Sequence, residues 1–262
     1  MTSAQTQEYW QQFHRFQMSR ERFFAPKINS ALKQQIQDFI QAYKRTEGIP
    51  ENFVTIVPIV QAIKPIYYDA ARVYGAKVLA YLPKQKARMP IGYNEMIIRL
   101  VEEYFSMDFL NTAQEITDTT KRDIANVLQQ GFITGISFDE IVAILTSPQM
   151  TAIRARLIAR TETVTAANFG ANAAAQSTGL QLQKVWISAQ DNRTRRIPRD
   201  KYDHLHMNGV TLQMQDLFNV NGELLQYPGD RKNGAGAGNI CNCRCTHAFI
   251  PIRDNGRLVR NP

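Results

Sequence analysis

The sequence has few cysteines, comparatively few acidic residues and no long apolar run. All three cysteines fall within five positions, at Cys241, Cys243 and Cys245. This clustering excludes the disulfide framework that holds small secreted domains together. The most apolar stretch early in the chain, residues 53–60, is interrupted by a threonine and a proline and is far shorter than the ~20 residues that cross a bilayer. The first twenty residues lack the apolar core of a secretory signal, so we expect a protein of the reducing cytoplasm with no membrane partner.

The charge is unevenly distributed along the chain. Residues 1–150 carry 16 basic and 15 acidic side chains, a net charge of +1, whereas residues 151–262 carry 15 and 8, a net charge of +7. A basic excess of this size on one part of a chain favours a polyanionic partner such as nucleic acid. The alternative is a basic surface that is merely solvated. Hydrophobic residues make up 44% of the chain, which is enough to build a folded core.

Apolar residues recur at intervals of three and four as far as about residue 178, which is the period of an amphipathic helix. The pattern predicts one helix before Pro26 and a second after it that ends at Gly48. Further helices are predicted over 58–83 and 91–106. The N-terminal region is therefore expected to be helical.

Capping residues locate the helices that follow. Thr117 or Asp118 is the predicted N-cap of one helix, and Ser137 with Glu140 has the spacing of a capping box. A long helix is predicted to begin at Ser147-Pro148 and to end before Gly179. Its second half is rich in alanine and glycine, which favours close packing against another backbone.

After Gly179 the pattern is typical of short strands. A strand is predicted over 182–187, and Asn221-Gly222 between two apolar runs indicates a hairpin. Residues 233–238 are predicted to form a flexible glycine-rich loop, and residues 243–252 a last strand.

Together these patterns predict an α+β protein. A mostly α-helical N-terminal region, residues 1–115, is followed by a module of helix plus small antiparallel β-sheet, residues 116–262. The surplus of basic residues belongs to the second part.

A loop after the 182–187 strand is the predicted DNA contact. It contains five basic residues and one acid between positions 193 and 201. Arginine pairs well with phosphate oxygens, and neutralising phosphates releases counterions. The alternative is that Arg193 and Arg195 brace Asp191 or a backbone carbonyl. The basic residues are Arg193, Arg195, Arg196, Arg199 and Lys201.

The cysteines suggest a metal site. On a strand, Cys243 and Cys245 would point to the same face, and a histidine from upstream would help to complete a tetrahedral Zn²⁺ site. His204 and His206 are the candidate histidines. The alternative is a pair of free cysteines in a small core, since Cys-x-Cys is weaker evidence than Cys-x-x-Cys. Asp203-His204 with His247 also suggests a histidine–metal nuclease, although the flanking elements of such enzymes are missing.

Several short motifs follow one another along the chain: Ala159-Arg160-Thr161-Glu162, Trp186, Asp191-Asn192-Arg193-Thr194-Arg195, His204 three residues before Met207-Asn208-Gly209, Pro228-Gly229-Asp230 and Asn242-Cys243-Arg244-Cys245. This ordered series resembles the phage head morphogenesis family, the minor head proteins similar to protein F of phage Mu. The resemblance covers about residues 120–250, and the stretch Ile197–Asp203 departs from it as an insertion. The insertion leaves open whether His204 or His206 is the motif histidine, and the spacing to Asn208-Gly209 favours His204. The motif residues outside the metal site are Arg160, Glu162, Trp186, Asp191, Asn242 and Arg244.

The resemblance implies a non-enzymatic component of the virion, inside the capsid near the portal. Such a protein would assist head assembly and DNA packaging or ejection, with the portal protein, non-specific double-stranded DNA and major capsid or scaffold proteins as partners. Exchange of cysteine and histidine among members makes a structural Zn²⁺ more plausible. The aromatic stripes of residues 1–115 would meet the portal, other capsid proteins or another copy, or would simply form the region's own core. The alternatives are a histidine–metal nuclease or virion-carried toxin, and a general DNA-binding protein.

Overall fold

The computed structural model describes residues 1–46, 53–82, 92–105 and 110–261. In these ranges the helices are α1 (Ser3–Thr46), α2 (Val57–Tyr81), α3 (Tyr93–Tyr104), α4 (Leu110–Thr134), α5 (Phe138–Leu145), α6 (Pro148–Gln176) and α7 (Ala237–Ile240). The strands are β1 (Leu182–Ile187), β2 (Thr211–Gln213), β3 (Phe218–Val220), β4 (Glu223–Leu225), β5 (Thr246–Pro251), β6 (Arg253–Asp254) and β7 (Arg257–Leu258). The α+β prediction is confirmed.

The chain forms two compact units, each built from separate segments. The first comprises Met1–Glu21, Ile66–Glu102 and Arg160–Pro262, and the second comprises Arg22–Pro65 and Glu103–Ala159. The predicted boundary between the helical region, residues 1–115, and the α+β module, residues 116–262, stays a prediction. No helix within the described ranges is long and apolar enough to cross a membrane.

The prediction that Pro26 separates two helices is wrong, because α1 continues through it. A proline inside a helix removes one backbone hydrogen bond and costs about 3 kcal/mol. Burial of the neighbouring Phe24 and Ile28, which are 2% and 0% exposed, offsets this cost. Helices α2 and α3 confirm the predicted helices over 58–83 and 91–106. The helix end proposed at Gly48 lies outside the described residues.

The predicted cap at Thr117 or Asp118 is also wrong, because α4 begins at Leu110. Thr117 is buried in the helix interior, where its hydroxyl donates to the Ala113 carbonyl at 2.8 Å and accepts from Gln35 at 3.0 Å. A threonine bonded in this way is tolerated inside a helix. These contacts belong to the second unit, whose apolar core consists mainly of Ile36, Phe39, Ile40, Val54, Ile124, Leu128, Ile141 and Leu145.

The predicted capping box at the start of α5 is confirmed: Ser137 and Glu140 each accept a backbone N–H of the other. Helix α6 begins at Pro148 as expected. Its small residues allow close packing in the first unit, because a Cβ added to Gly170 would lie 2.2 Å from the Ala71 carbonyl oxygen.

The first unit contains an antiparallel sheet in the order β2-β1-β5. Successive residues of β1 point to opposite faces. Val185 and Ile187 pack with Tyr9 and Trp10 of α1, whereas Trp186 enters a cluster on the other face. Burial of both faces explains why β1 is a continuous run of mainly apolar residues.

Two small hairpins complete this unit. The predicted hairpin is confirmed as β3–β4, with Asn221 and Gly222 at φ +50° and +92°, as a tight turn between twisted strands requires. The second hairpin joins β6 to β7. The end of the predicted glycine-rich loop is ordered as the short helix α7.

Candidate functional site

His204, Cys243 and Cys245 lie together in the first unit. The His204 Nδ1 atom is 3.5 Å from the Cys243 sulfur and 3.6 Å from the Cys245 sulfur. All three side chains are buried, with exposures of 2% to 3%. His206, the alternative histidine, is exposed. The structure therefore brings together the three residues that the sequence suggested as metal ligands.

The two sulfurs meet for a reason other than the one predicted. The strand β5 begins only at Thr246, so neither cysteine lies on it. The chain turns between α7 and β5, with Asn242 at φ +61°. This turn allows the Cys245 backbone N–H to donate to the Cys243 sulfur at 3.3 Å.

The orientation of the His204 ring is fixed on its far side. Its Nε2 atom lies 2.7 Å from the Asn239 side-chain oxygen. The Asn239 amide in turn donates to Glu223 at 3.1 Å. The ring also packs edge-on against Trp186, with 5.7 Å between ring centroids. These contacts leave Nδ1 directed at the sulfurs.

The electrostatics of the cluster favour a thiolate on Cys243. Hydrogen bonding from Cys245 lowers the Cys243 pKa well below its ordinary value against the opposing effect of burial, with His204 contributing. Burial raises the pKa of the Cys245 thiol. Burial works against a charged His204, but the Cys243 sulfur and Asn239 outweigh it and raise the His204 pKa.

Asp191 and Arg244 form the ion pair that anchors the basic loop. The two guanidinium nitrogens of Arg244 donate to the Asp191 carboxylate at 2.6 and 2.9 Å. Burial raises the Asp191 pKa, but the hydrogen bonds and charge of Arg244 outweigh it and bring the pKa to about 2. The Arg244 carbonyl accepts from the Trp10 indole at 3.1 Å. Two motif residues therefore hold the loop to the segment that carries the cysteines.

Three of the five predicted DNA-binding residues contact backbone carbonyls of their own module. Arg195 donates to the carbonyls of Asn239, at 3.3 Å, and Cys241. Arg196 donates to the Asp191 carbonyl at 2.7 Å. This is the bracing alternative, although the predicted phosphate contacts themselves stay a prediction.

Arg199 is the third residue bonded to carbonyls, and Arg193 and Lys201 are the other two predicted contacts. Arg199 donates to the Asn192 and Thr194 carbonyls at 2.6 and 2.8 Å. The Arg193 side chain is 64% exposed and lies 3.4 Å from Asp191. Lys201 is exposed, with its ammonium 5.0 Å from the centroid of the Tyr202 ring.

The remaining motif residues join α6 to the cysteine turn and to its neighbours. Arg160 donates to the Glu21 carboxylate at two distances of 2.9 Å and to the Asn242 side chain at 2.5 Å. Buried Glu162 accepts from the Tyr67 hydroxyl at 2.8 Å. Trp186 is fully buried beside His204. These residues make their contacts within the first unit.

Sequence reasoning missed several residues that matter here. Asn239 and Glu223 have no local signal in the sequence, because Asn239 contacts His204, and Glu223 contacts Asn239, only in the folded chain. Trp10 is one of the aromatic stripe residues within 1–115, and its hydrogen bond to the Arg244 carbonyl has no signal in the sequence. Phe13, Tyr67 and Tyr74, which also belong to the aromatic stripes within residues 1–115, are buried and form part of the protein's own core.

The nuclease interpretation receives no geometric support. In the described part of the chain, the only group of three or more His, Cys, Asp and Glu ligand atoms within 4.8 Å of one another is His204 with Cys243 and Cys245. His247 is fully buried elsewhere, with its Nδ1 atom 3.3 Å from Asn168. Burial lowers the His247 pKa well below its ordinary value.

Comparison with known proteins was consistent with the motif series. Residues 122–248 match the model of the family described as Phage Mu protein F like protein. A segment of 132 residues is 29% identical to the minor head protein GP7 of Bacillus phage SPP1. This alignment covers 49% of the present chain and 40% of GP7, so the chain spans well under two thirds of that relative. No solved structure gives a significant match. The resemblance to the phage head morphogenesis family is confirmed over this segment.

Proposed function

We propose that this chain, whose residues 122–248 belong to the phage Mu protein F-like family, is a minor head protein with a role in phage head morphogenesis. The observation that carries the proposal is the match of half the chain to a minor head protein. We place the protein in the virion, inside the capsid near the portal. The portal protein is its proposed main partner, with major capsid or scaffold proteins as further partners.

The proposed contact with DNA is non-specific and electrostatic. Residues 151–262 carry a net charge of +7, which can neutralise phosphates and release counterions. The loop over 193–201 supplies only part of this surface, because three of its arginines are bonded to carbonyls. The arginines that are best placed for phosphates lie on the β6–β7 hairpin.

This hairpin presents Arg253 and Arg257 to solvent, and Arg260 is exposed two residues after the end of β7. We call these three residues the hairpin arginines. Arg253 donates to the Gly256 carbonyl at 2.9 Å. In the part of the chain that the structure describes, the side chains of Arg257 and Arg260 have no hydrogen bond or ion pair. Asp254 is the one acid between positions 253 and 260. Guanidinium groups without internal partners break no hydrogen bonds within the protein when they bind phosphate.

The hairpin is also held at its base. The Gln181 N–H donates to the Val259 carbonyl at 2.9 Å, and the Ile252 N–H donates to the Gln181 carbonyl at 2.9 Å. The Asn261 N–H donates to the Gly179 carbonyl at 2.9 Å. A two-stranded ribbon fixed in this way fits the major groove of duplex DNA.

Purified phage particles test the head role. We expect the chain to be present in few copies in DNA-filled heads from the phage that encodes it, and an in-frame deletion to lower the yield of infectious particles. A matched deletion in a gene that is dispensable for the head is the control. Particles that lack the chain and remain fully infectious would contradict the proposal.

The DNA contact and the non-enzymatic role are tested with the purified chain. Binding to duplex DNA should weaken steeply between about 50 and about 300 mM salt. With Mg²⁺ or Mn²⁺ present the DNA should stay intact. Cleavage that His204→Ala abolishes would favour the histidine–metal nuclease instead. Binding that does not change with salt would remove the electrostatic basis for the DNA contact.

A further inference from the structure

We infer that His204, Cys243 and Cys245 bind one Zn²⁺ ion, through Nδ1 of the histidine and the two sulfurs. The inference concerns the folded module and holds whether or not the chain acts in head assembly. Zinc binds sulfur at about 2.3 Å and imidazole nitrogen at about 2.0–2.1 Å, so tetrahedral ligands lie about 3.6 Å apart for nitrogen and sulfur. The two distances in the structure are 3.5 and 3.6 Å.

The surroundings match those of a histidine ligand. A metal-binding histidine donates its other ring N–H to an oxygen, which fixes the tautomer and the ring orientation. Here Nε2 meets the Asn239 oxygen at 2.7 Å, and Glu223 fixes Asn239 through its amide. The Gly236 N–H donates to the same Glu223 carboxylate at 3.0 Å. This chain of hydrogen bonds fixes the ring orientation of His204 more firmly than packing alone would require.

The surroundings also match those of thiolate ligands. The Cys245 backbone N–H donates to the Cys243 sulfur at 3.3 Å. The Trp186 indole nitrogen is buried and has no hydrogen-bond partner among the described residues. Trp186 packs in the same buried cluster as Cys243 and Cys245. A thiolate at Cys245 would give this indole an acceptor, whereas a protonated thiol is a weak one.

Charge balance favours a metal over an empty cluster. A Zn²⁺ ion with two thiolates and a neutral imidazole has no net charge, which lowers the cost of burying the group. Zinc would also join residues that are 39 and 41 positions apart in the chain. This connection links the basic loop to the cysteine turn.

Three protein ligands leave one coordination position. A polar cavity of about 170 Å³ borders all three ligands and is also lined by Arg193, Arg195 and Asp200. It has room for water, which we assign as the fourth ligand. Cys241 is exposed and takes no part, which makes it a matched control.

The experiment measures zinc in the purified full chain and in four single variants. We expect about one zinc per chain in the wild type and in Cys241→Ser, and a ratio near zero in Cys243→Ser and Cys245→Ser. Asn239→Ala should bind zinc about 10–100-fold more weakly, because it removes the partner that orients His204. Equal zinc contents in all the cysteine variants would overturn the assignment of ligands.

Cobalt titration keeps the inference testable if a serine variant fails to fold. Co²⁺ added to wild-type protein that a chelator has stripped of zinc should give sulfur-to-cobalt charge-transfer absorption that saturates at one ion per chain. Cys241→Ser should give the same spectrum, and zinc should abolish it. A folded wild-type chain that contains no zinc and shows no such absorption would overturn the site.

Discussion

Two groups of arginines in the same unit differ in what their guanidinium groups contact. Those of the loop over 193–199 donate mainly to backbone carbonyls and to Asp191 and Asp200. Those of the β6–β7 hairpin are exposed, and two of the three have no side-chain partner in the described ranges. The difference teaches that a dense run of arginines in a sequence is no guide to which of them remain available for phosphate. The loop arginines stabilise the fold, and the hairpin arginines are proposed to bind DNA.

The largest expected effect comes from breaking the anchor of the loop. Arg244→Gln removes both hydrogen bonds to Asp191 and leaves that carboxylate without its main partner. We expect the free energy of unfolding to fall by about 3 kcal/mol. This is the lower end of the loss caused by breaking a buried ion pair, because the Asp191 side chain is 29% exposed. Urea denaturation measures this loss. A loss below about 0.5 kcal/mol would show that the loop does not depend on this pair.

A smaller effect is expected at acidic pH. Asp191 has a pKa of about 2 in the folded chain and an ordinary value of 3.8. Its pair with Arg244 therefore contributes stability above about pH 4 that is lost as the pH falls towards 2. The gap in unfolding free energy between wild type and Asp191→Asn should shrink by about 2 kcal/mol over this range. A gap that is independent of pH would contradict the assigned pKa.

Arg199→Gln should have a moderate effect. It removes hydrogen bonds to the Asn192 and Thr194 carbonyls and to the Asp200 carboxylate, and water can replace these bonds in part. We expect the unfolding free energy to fall by about 1 kcal/mol. Thermal and urea unfolding of the purified variant check the value. No change at all would place Arg199 with the hairpin arginines rather than with the braces.

The smallest effect on stability is expected in the hairpin. Arg257→Gln and Arg260→Gln remove exposed side chains that have no partner in the described residues. The unfolding free energy should stay within about 0.5 kcal/mol of the wild type. A larger loss would reveal an internal role for these arginines and weaken the contrast with the loop.

Local chemistry determined which features could be predicted. The Asn221-Gly222 turn and the Ser137–Glu140 capping box depend on a few adjacent residues, and both are confirmed. Pro26 and Thr117 were misread because packing of distant side chains outweighs the local preference of each residue. Propensity is a weak guide where tertiary contacts compete with it.

The candidate site was predictable only in part for the same reason. The cysteines and His204 have distinctive chemistry, so residue type alone suggested their association. Asn239, which orients His204, is 35 residues away from it in the chain and has no distinctive spacing. The bracing of Arg195 and Arg196 likewise depends on carbonyls that only the folded chain brings near.

The most direct test of the contrast is the salt dependence of duplex-DNA binding by two triple variants with the same change of charge. The hairpin variant changes Arg253, Arg257 and Arg260 to Gln, and the loop variant changes Arg195, Arg196 and Arg199 to Gln. Each is measured under conditions in which it is folded. We expect the hairpin variant to lower the slope of log K against log salt by about 2–3, and the loop variant to lower it by less than about 1. Equal losses in the two variants, or a larger loss in the loop variant, would contradict it.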